Sequence, residues 1–163
     1  MSTRENLNDA IIAESKAHIR YIASMLIAER DGKTRAANLF KALAEAEIIH
    51  AVNHLNVLGE MSSTEINIES GIAYELYEYT TMYPSYIDQA EKDGDRLAIL
   101  SFRGAMAGEA AHLELLIELK RELNDTKDAS YYICQKCGNI ESMATPTECR
   151  VCGMSNDGIK EIR

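Results

Sequence analysis

Leu43-Ala44-Glu45-Ala46-Glu47-Ile48-Ile49-His50-Ala51-Val52-Asn53-His54 decides the fold. On a helical period, Leu43, Glu47, His50 and His54 share the stripe that also takes Phe40. Glu47 stands where a leucine belongs, and burying an ionised glutamate is costly unless it is paired or binds a metal. Glu47 and His50 are three apart, so both side chains leave one helix face and can grip one centre. A second copy, Glu109-Ala110-Ala111-His112, lies on a stripe with Phe102, Ala105, Leu116 and Leu119.

Each Glu-x-x-His has a glutamate one hairpin ahead of it. Glu14 precedes Glu47 by 33 residues, and Glu75 precedes Glu109 by 34. One Glu-x-x-His is a weak signal. Two on apolar stripes, with a glutamate from each of two further helices, match the di-metal pattern of four-helix bundles. Glu78, three residues after Glu75, adds a fifth carboxylate. Five carboxylates and two imidazoles form a hard O/N set that suits two irons, with manganese the alternative. Two divalent cations nearly neutralise it, which is what permits burial. His18 and His54 are read as hydrogen-bonded core histidines. Tyr21 and Tyr83 lie near the carboxylates in sequence, and spacing alone reads them as core tyrosines.

Outward from these motifs the chain reads as helical. It has 163 residues, 46% of them apolar, with two prolines and nine glycines. The first helix is expected to open at Asn6 and Asp9 and end near Asp31-Gly32; the second runs Thr34 to Leu58 and stops at Gly59. Ser62-Ser63-Thr64-Glu65 caps the third, which Pro84 kinks; Asp93-Gly94-Asp95 separates it from the fourth. The fold class is an all-α four-helix bundle with a small C-terminal four-cysteine domain. The domains are 1–125 and 126–163, joined by a polar linker at 124–130. The net charge of −9 offers no basic patch for nucleic acid or for an anionic membrane. No apolar run of about 18 residues is present, and Met1–Ala10 lacks the pattern of a secretion signal, so a cytoplasmic protein is expected.

Cys134-x-x-Cys137-Gly138 and Cys149-x-x-Cys152-Gly153 follow one another, with 11 residues between Cys137 and Cys149. Two such turns hold one tetrahedral ion. Residues 131–163 are too few for a core of their own, so the ion does folding work. Iron there makes a one-electron relay and zinc a structural staple; the spacing leaves both open.

The two halves together resemble rubrerythrin. Ala13-Glu14-Ser15-Lys16-Ala17-His18-Ile19-Arg20-Tyr21 is similar to that family's first-helix Gly-Glu-Ser-Gln-Ala-Arg-Asn-Arg-Tyr, departing at Ala13, Lys16, His18 and Ile19. Glu75-Leu76-Tyr77-Glu78-Tyr79-Thr80-Thr81-Met82-Tyr83-Pro84 is similar to its third-helix signature almost throughout. Glu47-x-x-His50 and Glu109-x-x-His112 resemble the second- and fourth-helix motifs, and the tail its rubredoxin-type module, though the segment between the knuckles departs. The resemblance implies a ferritin-like fold and a non-haem di-iron peroxidase that reduces hydrogen peroxide. The implied ligands are Glu14, Glu47, His50, Glu75, Glu78, Glu109 and His112. Tyr21 and Tyr83 match tyrosines that hydrogen-bond the iron carboxylates. It implies a rubredoxin-type iron that feeds the pair, often across a dimer interface, and an external donor such as rubredoxin or an NAD(P)H-linked reductase. Ferroxidase or iron handling, and a redox sensor with a zinc tail, are the competing functions.

The link between the second and third helices is short for that order. In a ferritin-like bundle these helices run parallel, so the chain must climb back roughly 31 Å between the glutamates. Seven extended steps from Leu58 to Glu65 span at most about 25 Å. Either the helices end earlier or a homodimer exchanges helix pairs.

Overall fold

The computed structural model describes residues 2–125, 129–142 and 145–163. The central part of the expected linker and the expected boundary at 125/126 touch residues 126–128, which lie outside the described set. The chain forms two compact units, Met1–Ser62 and Ser63–Arg163.

The first unit is a helical hairpin, α1 (Thr3–Arg30) and α2 (Thr34–Leu58). α1 opens earlier than Asn6 because Ser2 caps it. The Ser2 hydroxyl accepts from the Glu5 N–H at 3.2 Å, and the Glu5 carboxylate accepts from the Ser2 N–H. α2 keeps the expected ends, closed by Gly59 at φ 73°, where a side chain would be strained. The seam is built of alanines. Ala28, Ala37, Ala44 and Ala51 are buried, Ala44 to 1% exposure. Small side chains let the two backbones approach closely. His18 Nδ1–H donates to the Ala44 carbonyl at 2.8 Å, so His18 is the core histidine expected of it. Arg4 holds Glu60 at 3.1 Å, tying the residues after α2 to the start of α1.

The second unit carries α3 (Thr64–Tyr77), a π-helical turn (Glu78–Met82), α4 (Tyr83–Asp93) and α5 (Arg96–Arg121). The expected Pro84 kink takes the form of that wide turn. Proline offers no N–H, and its ring crowds the carbonyl four residues back, here Thr80. Widening the turn relieves this. The Tyr83 N–H reaches the Glu78 carbonyl, and the Thr80 hydroxyl donates to the Leu76 carbonyl at 2.6 Å. Gly94 (φ 71°) and Asp95, which accepts from Leu97 and Ala98 N–H, set off α5. Ile68, Ile87, Ala90 and Ala111 form the buried core, beside a ring cluster of Tyr83, Tyr86 and Phe102.

The tail is a three-stranded antiparallel sheet in the order β2 (Ile140–Glu141), β1 (Tyr131–Cys134), β3 (Ile159–Ile162). Cys134 pairs with Ile159 and Tyr132 with Glu141. This sheet sits against α5 at Gly108. A Cβ there would lie 3.6 Å from the Cys137 carbonyl oxygen, so the helix approaches the knuckle backbone through a glycine. No helix among the described residues is long and apolar enough to cross a membrane.

Candidate metal centres

Three groups of metal-binding side chains converge among the described residues. They are Glu14, Glu47 and His50; Glu75, Glu109 and His112; and the four cysteines. Within each group the ligand atoms lie within 4.8 Å of one another. The helical period causes the first two. Glu47 and His50 leave one face of α2, and Glu14 meets them from α1. Glu109 and His112 leave one face of α5, and Glu75 meets them from α3.

In the first group His50 Nδ1 lies 3.1 Å from Glu47 Oε2 and 3.9 Å from Glu14 Oε1. Glu14 and Glu47 are half-buried and His50 is exposed. In the second, His112 Nδ1 lies 2.8 Å from Glu109 Oε2 and 3.7 Å from Glu75 Oε2. Glu75 Oε2 is buried and makes no hydrogen bond. Burial first, then the Glu109 carboxyl beside it, raises the Glu75 pKa from 4.5 to about 7. Glu78, at the start of the π turn, lies outside the close group but is raised too, by burial and then by Glu109. Tyr83 is raised by burial and then by Glu109, Glu78 and Glu75, so its hydroxyl stays protonated beside these carboxylates. Tyr21 stacks on Phe40 with ring centres 6.2 Å apart. Neither His18 nor His54 joins a ligand group.

The tautomer of His112 is set from the other side. Its Nε2–H donates to the Gly138 carbonyl at 3.0 Å, which leaves the Nδ1 lone pair facing two carboxylates. Lone pairs that converge on one point need a cation between them. An orphaned carboxylate oxygen and an imidazole oriented from behind fit a metal ion. The His112–Gly138 bond has no signature in the sequence. Gly108, a glycine inside a helix one position before Glu109, does signal a close backbone approach.

The four thiols fit an ion equally well. Cys134 and Cys149 are buried to 2%, with Sγ separations of 3.5 Å (Cys134–Cys152) and 3.6 Å (Cys137–Cys149). Burial raises the Cys134 thiol, but N–H donors from Lys136 and Cys137 outweigh it and bring it down to about 7. Burial pushes Cys137 up to about 12 despite the Asn139 N–H, and raises Cys152. Thiols this close do not all ionise unless a cation joins them. Asn139, 1% exposed, lies beneath the first knuckle and donates to Glu141 at 3.2 Å.

A family model for rubrerythrin matches residues 5–120. Nigerythrin of Nitratidesulfovibrio vulgaris is 31% identical, over 96% of this chain and 84% of that protein. Rubrerythrin-2 of Clostridium acetobutylicum is 32% identical, over 95% of this chain and 94% of that protein. Solved structures of nigerythrin, one fully reduced and all ferrous, superpose with a TM-score of 0.61 at 30% identity, covering 99% of this chain and 87% of theirs. The fold class is as read from the sequence: ferritin-like helices followed by a rubredoxin-like four-cysteine domain.

Proposed function

The chain belongs to the rubrerythrin family of di-iron proteins linked to oxidative stress, and on that premise we propose that it is a non-haem di-iron peroxidase that reduces hydrogen peroxide to water. The observation that carries the reading is the pair of matched carboxylate–histidine groups together with the four-cysteine group. Glu14, Glu47, His50, Glu75, Glu109 and His112 would hold two irons, with Glu78 in reserve one turn from Glu75. Two ferrous ions held there would supply the two electrons that, with two protons, turn one peroxide into two waters.

The chain's own groups do the rest. Glu78 begins a π turn, an irregularity frequent at functional sites, and its carboxylate is the one assigned to move as the charge beside it changes. The protonated Tyr83 hydroxyl can donate to a carboxylate that does move. His112 joins the two kinds of site. One ring nitrogen faces Glu109, and the other donates to the carbonyl of Gly138, the residue after Cys137. That gives a short covalent and hydrogen-bonded route from a knuckle thiolate to a bundle ligand. An external donor, such as rubredoxin or an NAD(P)H-linked reductase, would reload the four-cysteine iron.

The test separates the two sites. Glu109→Ala should abolish peroxide consumption while the thiolate colour stays. Cys134→Ser should keep one round of peroxide reduction by protein reduced beforehand but lose sustained turnover. Iron-loaded, reduced protein that consumes no peroxide contradicts the proposal.

A further inference from the structure

Hydrogen peroxide takes two electrons, and a lone ferrous ion supplies one. With that electron and a proton, peroxide splits into water and a hydroxyl radical, which attacks the nearest side chain. The second unit is where this case arises. It gathers three ligands of its own, Glu75, Glu109 and His112, which can hold a single ion.

Two tyrosines lead from that group to the surface. The Tyr83 N–H bonds the Glu78 carbonyl, so Tyr83 lies one wide turn after Glu78. The carboxylates of Glu109, Glu78 and Glu75 are all close enough to act on its hydroxyl. The Tyr83 ring meets Tyr86 edge-on, with centres 6.3 Å apart and planes at 87°. Phe102 lies against both rings, 6.2 Å from Tyr83 and 5.6 Å from Tyr86. These are contact distances for aromatic rings. Tyr83 is half-buried, whereas Tyr86 is 46% exposed. The buried face of α4 is Ile87 and Ala90, so core packing does not account for Tyr86. Tyr21 has no such path. Its ring partner among the described residues is Phe40, and no second tyrosine follows.

We propose that Tyr83 and Tyr86 form an oxidation relay, in which Tyr83 gives peroxide its second electron where a single ferrous ion stands alone, and Tyr86 carries the resulting radical to the surface. The inference rests on the peroxide reading above. A phenol is protonated at neutral pH, so Tyr83 gives up a proton with its electron. One ferrous ion, the Tyr83 phenol, one peroxide and one further proton become one ferric ion, the Tyr83 phenoxyl radical and two waters. The O–O bond breaks and no hydroxyl radical is released. Tyr83 then takes an electron from Tyr86 and a proton from solvent, while Tyr86 releases its own proton to solvent. A small soluble thiol restores the exposed Tyr86 by giving it the S–H hydrogen atom, and leaves as a thiyl radical.

The test uses the full chain with one ferrous ion in its bundle and its four-cysteine iron already ferric, so that no other iron supplies the electron. One equivalent of peroxide is added without oxygen, and the sample is frozen rapidly. Electron paramagnetic resonance should show a tyrosine radical, identified by the narrowing of its signal when the tyrosines are ring-deuterated. Tyr83→Phe should remove that signal, and a spin trap should then collect several-fold more hydroxyl radical. Tyr86→Phe should keep the signal, now quenched several-fold more slowly by added thiol. Fully ferrous protein, which has both electrons at hand, should show no radical. A signal that survives Tyr83→Phe, one that is lost in Tyr21→Phe, or an equal signal from fully ferrous protein overturns the relay. So does peroxide consumption by the one-iron protein without a tyrosine radical. Quenching of Tyr86→Phe as fast as the unaltered chain overturns the path to the surface. If fully ferrous protein leaves peroxide intact, the peroxide reading itself fails.

Discussion

Gly108 is where the helix that bears Glu109 and His112 touches the knuckle, so substitutions there separate packing from function. An added Cβ would meet the Cys137 oxygen at 3.6 Å, the Asn139 nitrogen at 3.8 Å and the Gly138 carbon at 3.9 Å, all ordinary contacts. Gly108→Ala should therefore gain about 0.5–1 kcal/mol from helix propensity and leave the knuckle in place. Gly108→Leu projects about 2.5 Å further, two carbon–carbon bonds, into backbone that cannot yield as a side chain would. Overpacking of this kind costs about 1–3 kcal/mol. The knuckle must move off the helix, and the His112–Gly138 bond, 3.0 Å long, breaks. The two variants should differ by about 1.5–4 kcal/mol, or roughly 6 °C or more in melting temperature for a unit of this size. The assay is thermal unfolding of metal-loaded protein, followed by the rate at which the reduced four-cysteine iron oxidises after peroxide. Alanine should leave that rate unchanged, and leucine should lower it at least tenfold. A leucine variant as stable and as fast as the alanine variant refutes both the packing and the route through His112.

The remaining expectations are simpler. In metal-free protein the folded Glu75 carboxyl, raised from 4.5 to about 7, holds a proton that the unfolded chain has already lost. Its contribution to stability is therefore full below pH 4.5 and falls as pH rises towards 7, and iron loading at pH 6 should release protons measurable with a weakly buffered dye. Ala44→Leu overfills a seam residue that is 1% exposed and should cost about 1–3 kcal/mol in chemical unfolding, whereas the same change at exposed Ala13 should cost little. Asn139→Asp puts a carboxylate in a side-chain site that is 1% exposed and next to four thiolates; the tail metal should pass to a chelator at least tenfold faster.

How much of this was legible follows from which forces act locally. α2 ran from Thr34 to Leu58 as read, because its Gly59 stop acts within one turn. That Glu47 shares a face with His50, and Glu109 with His112, was legible because helical spacing fixes it, and Glu14 and Glu75 lie beside those pairs. The start of α1 was misread. Ser2 and Glu5 form a capping box ahead of Leu7, where the apolar stripe starts, so the hydrophobic pattern began late. The wide turn at Glu78–Met82 was hidden because proline predicts a disturbed helix but not its form. The bond from His112 to Gly138 joins residues 26 apart through a carbonyl, a group every residue carries, and no spacing could announce it.

The central claim is tested most directly by metal analysis and a visible spectrum of protein purified without oxygen, taken before and after one equivalent of peroxide. The account predicts about three irons per chain, two for the bundle and one for the thiolates. It also predicts ferric–thiolate colour that appears on peroxide addition and bleaches on re-reduction. Zinc in the four-cysteine site, with bundle metals that peroxide leaves unchanged, would contradict it.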